Sequence, residues 1–360
     1  MLQLQEIELV QFRNYTQQKI SFTERIVAVC GLNGTGKTNL LDAIYYLGFS
    51  RSYFTRTDAQ NVQHGNIGMR LSGQYSLLNK PYTITCILRE NNRKELTVND
   101  DLYKKISDHV GKFPCVMIAP DDIALIAGGG EERRKLMDTI LSQTDHQYLM
   151  SLISYTKILQ QRNGFLKQQE ENGAIDQTLL LILNEQLVQA GNYLFEQRKT
   201  FLAQFLPMVE EKYLEIAGKT DGLTLSYESQ LLTQSFSDLL AQSFKKDRLL
   251  QRTTKGIHRD DLLIQLNQYA FKAEASQGQR KSLLFAIKLA EWQYLKDKKG
   301  FPPILLLDDI FEKLDEKRMF QLLKSVCSAA YGQVFITDTH AVRLKAQLEQ
   351  TGTAFQLLEL

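Results

Sequence analysis

The chain has 360 residues, 43% of them hydrophobic and 23% charged, a composition that builds an apolar core and leaves length for two domains. Its net charge of +2 excludes a bulk electrostatic signal for nucleic acid, and no apolar run approaches the roughly 20 residues of a membrane span. Cys30, Cys86, Cys115 and Cys327 stand far apart without metal-site spacing, which predicts buried, reduced thiols. With no secretory signal in MLQLQEIELVQF, the expected location is cytoplasmic.

Alternating apolar and polar residues predict strands over 2–10, 20–21, 67–75, 82–88 and 96–98, divided by turns such as Asn91-Asn92 and Asn99-Asp100. They would form an antiparallel sheet. Between the first two and the rest, the β-prone run 26–29 leads into Gly31, Leu32, Asn33, Gly34, Thr35, Gly36, Lys37 and Thr38. Leu40, Leu41, Ile44 and Leu47 then follow at helical spacing. Strand, glycine-rich loop and helix form the context that a Walker A phosphate loop requires. Its backbone amides and the helix N-terminus suit phosphate oxygens, Lys37 suits the β- and γ-phosphates, and the Thr38 hydroxyl suits Mg²⁺. ATP and Mg²⁺ are therefore the expected ligands.

From about Asp121 the period becomes helical, over 131–143, 146–167 and 178–216, with polar breaks at 170–173 and 218–222. No sustained heptad is visible, so a compact, mainly helical lobe over 121–250 is expected, and not a coiled-coil arm. Asp122 reads as a cap for the next helix, and residues 256–262 (GIHRDDL) as a polar hinge, with Arg259 available for phosphate or an ion pair. Basic groups near Arg93, Lys104, Arg133, Lys245 and Arg252 read equally as solvated faces or phosphate contacts. A head built from both ends of the chain, 1–120 and 251–360, would enclose this insertion.

Three features of that second half complete the nucleotide kit. Ser276, Gln277, Gly278 and Gln279 stand at the start of a helical pattern, a second anion-binding arrangement 32 residues before Asp308. Residues 304–307 are an unbroken apolar run, as in a parallel strand buried on both faces, and Asp308 and Asp309 follow at its carboxyl end. Asp308 is placed to hold Mg²⁺ and Asp309 to orient the attacking water. The strand in 333–340 is expected to be the last, ending at the site edge. His340 there has two readings, a contact to the γ-phosphate or a solvated helix start.

These motifs, with FRNY at 12–15, APDD at 119–122, GGGEERRKLMD at 128–138, QRN at 161–163 and LLLDDIFEKLD, resemble the RecF family of ABC-type, SMC-like ATPases nearly end to end. The resemblance implies an α/β head of mixed and antiparallel sheets with an inserted helical lobe. It also implies nucleotide contacts from Arg13 and Asn14, whereas 50–58 lacks a clean arginine, aromatic, arginine spacing and assigns nothing to Arg51 or Arg56. In ABC-type proteins the signature loop acts in trans, so Ser276 to Gln279 would cap ATP bound to a second copy. Implied partners are DNA at single-strand gaps or junctions, and RecR, RecO and RecA. Two other classes remain open on the residues alone: a P-loop kinase with a small-molecule acceptor, and a binding module with a structural ATP site.

Overall fold

The computed structural model describes residues 1–172, 176–309 and 316–360; the end of the first polar break, Gly173, and the IFEKLD stretch after Asp309 lie outside them. The first part of the chain runs β1 (Leu2–Phe12), β2 (Tyr15–Ser21), β3 (Ile26–Cys30), α1 (Lys37–Phe49), β4 (Met69–Leu77), β5 (Lys80–Leu88), β6 (Lys94–Val98), β7 (Asp101–Leu102) and β8 (Cys115–Ile118). Next come α2 (Ala124–Ala127), α3 (Gly130–Thr144), α4 (His146–Asn172), α5 (Gln177–Ala217), β9 (Leu223–Glu228), α6 (Phe236–Leu249), β10 (Asp261–Leu266), β11 (Tyr269–Ala270) and α7 (Phe271–Glu274). The last part is α8 (Gln277–Lys299), β12 (Ile304–Leu307), α9 (Glu316–Val326), β13 (Val334–Asp338), α10 (Ala341–Gln350) and β14 (Phe355–Glu359).

Two compact units result. The first comprises Met1–Ile123, Lys212–Lys219 and Gln277–Leu360, and the second Ala124–Glu211 and Thr220–Ser276. The first unit holds a six-stranded sheet in the order β2-β1-β4-β5-β6-β7, antiparallel throughout, and a five-stranded sheet in the order β14-β3-β13-β12-β8, in which every pairing is parallel. The physical difference is visible in burial. β1 alternates Leu2, Leu4, Ile7 and Leu9 inward, whereas β3, β8, β12 and β13 are buried at every residue, as strands covered on both faces must be. Leu40, Leu41, Ile44 and Leu47 of α1 join Leu4, Ile7, Val27, Val29 and Leu306 in one core.

Two expectations change. The strand over 333–340 is not the last: β14 pairs with β3 on the far side from β13. The insertion is mainly helical, as expected, with β9, β10 and β11 adding an antiparallel sheet. Because β10 pairs with β9 along its length, residues 251–276, expected in the head, group with the second unit. All four cysteines are buried and none is in a disulfide. No described helix is long and apolar enough to cross a membrane.

Candidate nucleotide-binding site

The parallel register sets the site. Leu307 lies opposite Ile118 and Ile336, and Asp338 opposite Cys30, so the carboxyl ends of β3, β13, β12 and β8 come level, and the loops leaving them meet there. The phosphate loop leaves β3 at Gly31 and enters α1 at Lys37. Gly34 and Gly36 adopt φ of 87° and 116°, and a Cβ on Gly36 would fall 2.7 Å from Asn14 Nδ2 and 2.9 Å from the Tyr15 hydroxyl. Gly36 is thus required twice, by backbone conformation and by the close approach of the β1–β2 turn.

That turn clamps the loop from behind. Asn14 Nδ2 donates to the Thr35 carbonyl at 3.0 Å, the Tyr15 hydroxyl to the Gly36 carbonyl at 3.1 Å, and Asn39 Nδ2 to Asn14 Oδ1 at 2.7 Å. The Thr35 hydroxyl closes the loop on the Leu32 carbonyl at 3.0 Å, and Leu32 itself is exposed. Lys37 is buried, its ammonium donating to the carbonyls of Gly31 at 2.8 Å and Leu32 at 3.0 Å.

Across the mouth, the Thr38 hydroxyl lies 3.0 Å from both carboxylate oxygens of Asp308, joining residues 270 positions apart. Thr337 of β13 donates to Asp308 Oδ1 at 2.9 Å and accepts from the Asp309 amide at 2.8 Å. Burial pushes the Asp308 carboxyl up to about 6; the bonds from Thr337 and Thr38 pull it down, Asp309 beside it raises it, and Lys37 lowers it. A hydroxyl and a buried carboxylate, both hard oxygen donors, beside a loop of backbone amides fit a hydrated divalent cation and the phosphates it accompanies. Asp309 takes a left-handed φ of 43°.

Not every expected residue points there. Arg13 donates to Asp42 (2.5 Å), Ser52 (3.0 Å), Asn39 (3.1 Å) and Asn61 (3.2 Å), so its guanidinium supports α1 and the segment after it while Asn14 faces the loop. Burial raises the Asp42 carboxyl in spite of Arg13. A buried acid among the apolar residues of α1, outside any nucleotide motif, is the sequence signal for this partner. Asp122 does not cap α2: it lies within the 3-10 turn Pro120–Ile123, and its carboxylate accepts from the Ala119 amide at 2.9 Å and from the Tyr53 hydroxyl. His340 is exposed at the start of α10, its amide on Asp338 at 3.1 Å, and Arg343 fixes that same carboxylate at 2.9 Å. Arg51 lies over the Phe49 ring.

Gln277 begins α8 one residue after the division between the two units, and with Arg280 and Asp308 it lines a cavity of about 260 Å³ floored by Ile118, Leu284 and Phe285. Gln277 thus opens toward the same sheet edge as Asp308. His258, expected in a polar hinge, is half-buried in the second unit: Nδ1 accepts from the Tyr155 hydroxyl at 2.8 Å and Nε2 donates to the Thr253 carbonyl at 3.0 Å. Burial lowers it to about 4. Its neighbour Asp260 pairs with the buried Arg198 at 3.0 Å, and Asp261 with Arg133 at 2.6 Å, so this stretch is a packed ionic core, while Arg259 stays exposed.

Comparison with known proteins agrees with this architecture. The RecF/RecN/SMC N-terminal domain family matches residues 3–356. A protein of Flavobacterium johnsoniae named DNA replication and repair protein RecF is 40% identical over 359 residues, covering both chains completely, and one of the same name from Phocaeicola vulgatus is 39% identical over 96% of this chain and 93% of its own. A solved structure of the recombination mediator protein RecF with ATP, in the RecFOR pathway, superposes with a TM-score of 0.87 at 30% identity, over 94% of this chain and 92% of that one. The Smc head domain of Pyrococcus furiosus shares the fold, with a TM-score of 0.54 at 15% identity over 98% of this chain and 92% of that one. Matched from end to end in sequence and in the ABC-type head that surrounds the phosphate loop, this chain belongs to the RecF family, within the RecF/RecN/SMC group.

Proposed function

We propose that the chain is an ATP-controlled DNA-binding protein of cytoplasmic recombinational repair. The observation that carries this reading is the Thr38–Asp308 contact, which brings two metal-seeking oxygens to the mouth of the phosphate loop. The relatives named for DNA replication and repair, and the solved RecF with ATP, support the partner and the nucleotide.

When bound, Mg²⁺·ATP supplies a cleavable γ-phosphoryl group with its charge partly neutralised. The amides of the loop and Lys37 bind the phosphates, Thr38 and Asp308 hold the cation, and Asp309 orients the water. Asp is one methylene shorter than the Glu usual in SMC proteins, so hydrolysis is slow and serves as a timer. Ser276, Gln277, Gly278 and Gln279 of a second copy complete the site, closing a head-to-tail dimer on DNA at gaps or at junctions of single and double strands. RecR, RecO and RecA are the partners that the family relationship supplies. Retention on gapped DNA tests the reading: dwell time should lengthen with ATP over ADP and lengthen again in Asp309→Asn. Equal dwell times with ATP, ADP and no nucleotide would overturn it.

A further inference from the structure

The second unit carries a stretch in which charge is one-sided by construction. Of the fifteen residues from Lys245 to Arg259, six are Lys or Arg and one is acidic. That acid, Asp247, is fully buried and saturated. Its carboxylate accepts from Arg162 at 2.9 Å, from the Thr254 amide and hydroxyl at 2.9 and 2.6 Å, and from Ser243 at 3.2 Å. Its charge is cancelled inside by a fully buried Arg162 and contributes nothing to the surface.

The cations are left outside. At about 100° per residue, Phe236, Leu239, Leu240, Ser243 and Asp247 form the buried face of α6; Lys245 falls opposite it, Lys246 and Arg248 flank it on either side, and all three are exposed. Arg252 follows in the loop that Asp247 folds back onto the helix through the Arg252 amide (3.0 Å to the Asp247 carbonyl), and it too is exposed. None of the six cations forms an ion pair among the described residues, whereas Arg13, Arg133, Arg162, Arg198 and Lys288 are all paired. A helix C-terminus favours two such residues through its dipole. It does not account for a further cation in the loop beyond or for an acid turned wholly inward.

We infer that this surface, Lys245, Lys246, Arg248 and Arg252 with Lys255 and Arg259 beyond, takes the phosphate backbone of duplex DNA. The inference rests on the DNA-binding reading above and assigns it a place. Duplex is favoured over single strand because single-strand surfaces combine cations with exposed aromatic rings on which bases stack. The aromatic residue between 245 and 259 is His258, both of whose ring nitrogens are engaged internally. A surface of cations without a stacking platform reads backbone charge and not bases.

The test is the salt dependence of duplex binding by the full chain with ATP. The fourfold variant Lys245→Ala, Lys246→Ala, Arg248→Ala and Arg252→Ala is compared with a control that removes equal charge from the first unit: Lys80→Ala, Lys104→Ala, Lys105→Ala and Lys112→Ala. All eight side chains are exposed, and thermal melting checks that both variants are folded. The patch variant should lose about 0.9 in the slope of log K against log salt for each phosphate contact removed, and bind duplex at least tenfold more weakly at low salt. Binding to an oligothymidine strand should fall far less, ATP affinity should be unchanged, and replacement of the same four residues by the opposite cation, Lys for Arg and Arg for Lys, should restore the slope. Wild-type slope in the patch variant, or an equal loss in the control, would overturn the assignment while leaving DNA binding itself intact. Wild-type duplex binding together with lost binding to poly-glutamate would also overturn it, giving the surface to an acidic protein segment. Absence of duplex binding by the unaltered chain would instead remove the reading on which the assignment rests.

Discussion

Removing the Arg13 guanidinium would strand Asp42, whose carboxylate is fully buried. Arg13→Ala should therefore cost about 3–5 kcal/mol in urea unfolding, and adding Asp42→Asn should recover part of that loss, because the penalty belongs to the unpaired charge. Asp309 makes a different demand. At φ 43° Asp and Asn are tolerated better than longer side chains, so Asp309→Asn keeps the backbone and removes the charge, whereas Asp309→Glu adds reach and strain together. Of these two, Asn is the cleaner probe: expected hydrolysis in Asp309→Glu does not exceed wild type, measured as phosphate release. His109 and His258 both make the fold less stable in acid. Burial lowers each from 6.5 to about 4, so each binds its proton more readily unfolded than folded. Their stabilising effect is complete above pH 6.5 and is lost as pH falls through 4, on the order of 3 kcal/mol per histidine at 1.36 kcal/mol per pKa unit. Chemical denaturation between pH 7 and 4 should show that decline, and His258→Gln, which keeps polar atoms near Tyr155 and Thr253, should flatten it.

Elements are held by buried polar contacts as much as by apolar ones. Lys288 of α8 is buried with Glu291 at 3.2 Å, the Tyr53 hydroxyl at 3.2 Å and Asp122 at 3.8 Å; burial works against its charge, and the two carboxylates outweigh that and keep it protonated. Lys288→Met should destabilise by about 3–5 kcal/mol, with Lys288→Met plus Glu291→Gln less destabilised than additivity requires, in a thermal double-mutant cycle. In the loop before α1, Gly36→Ala forces about 1–3 kcal/mol of backbone strain and a clash with Asn14, and should weaken ATP binding about tenfold or more by calorimetry. The loop, α1, β12 and the start of α8 were legible because each combines a strong local period with turn chemistry on either side. β9 and β10 were not: β9 alternates Leu223, Leu225 and Tyr227 with Thr224, Ser226 and Glu228 but is only six residues long and directly follows long helical periods, and in β10 the run Leu262-Leu263-Ile264 breaks the alternation. β14 was missed for the opposite reason: FQLLE carries too little polar alternation to distinguish a strand from the end of a helix. Arg13 was read toward the nucleotide because the family resemblance places it there; the side chain's direction is set by Asp42, which lies 29 positions away in the chain.

At the scale of the molecule, association with ATP is the behaviour to measure. Ser276→Arg should abolish any ATP-driven doubling of mass in light scattering while each copy still binds ATP, since Gly31 to Thr38 and Asp308 lie in one unit. The arrangement of the parallel sheet also governs when the molecule can fold. β3 is among the first strands made, yet its sheet neighbours are β13 and β14, and β14 ends at Glu359. At about 5–20 residues per second of synthesis, an entirely apolar strand waits from about 15 seconds to a minute before either edge is paired, and Thr38 waits as long for Asp308. A nascent chain in that interval offers two open strand edges and no metal site. Translation speed and shielding on the ribosome therefore bear on the yield of this protein.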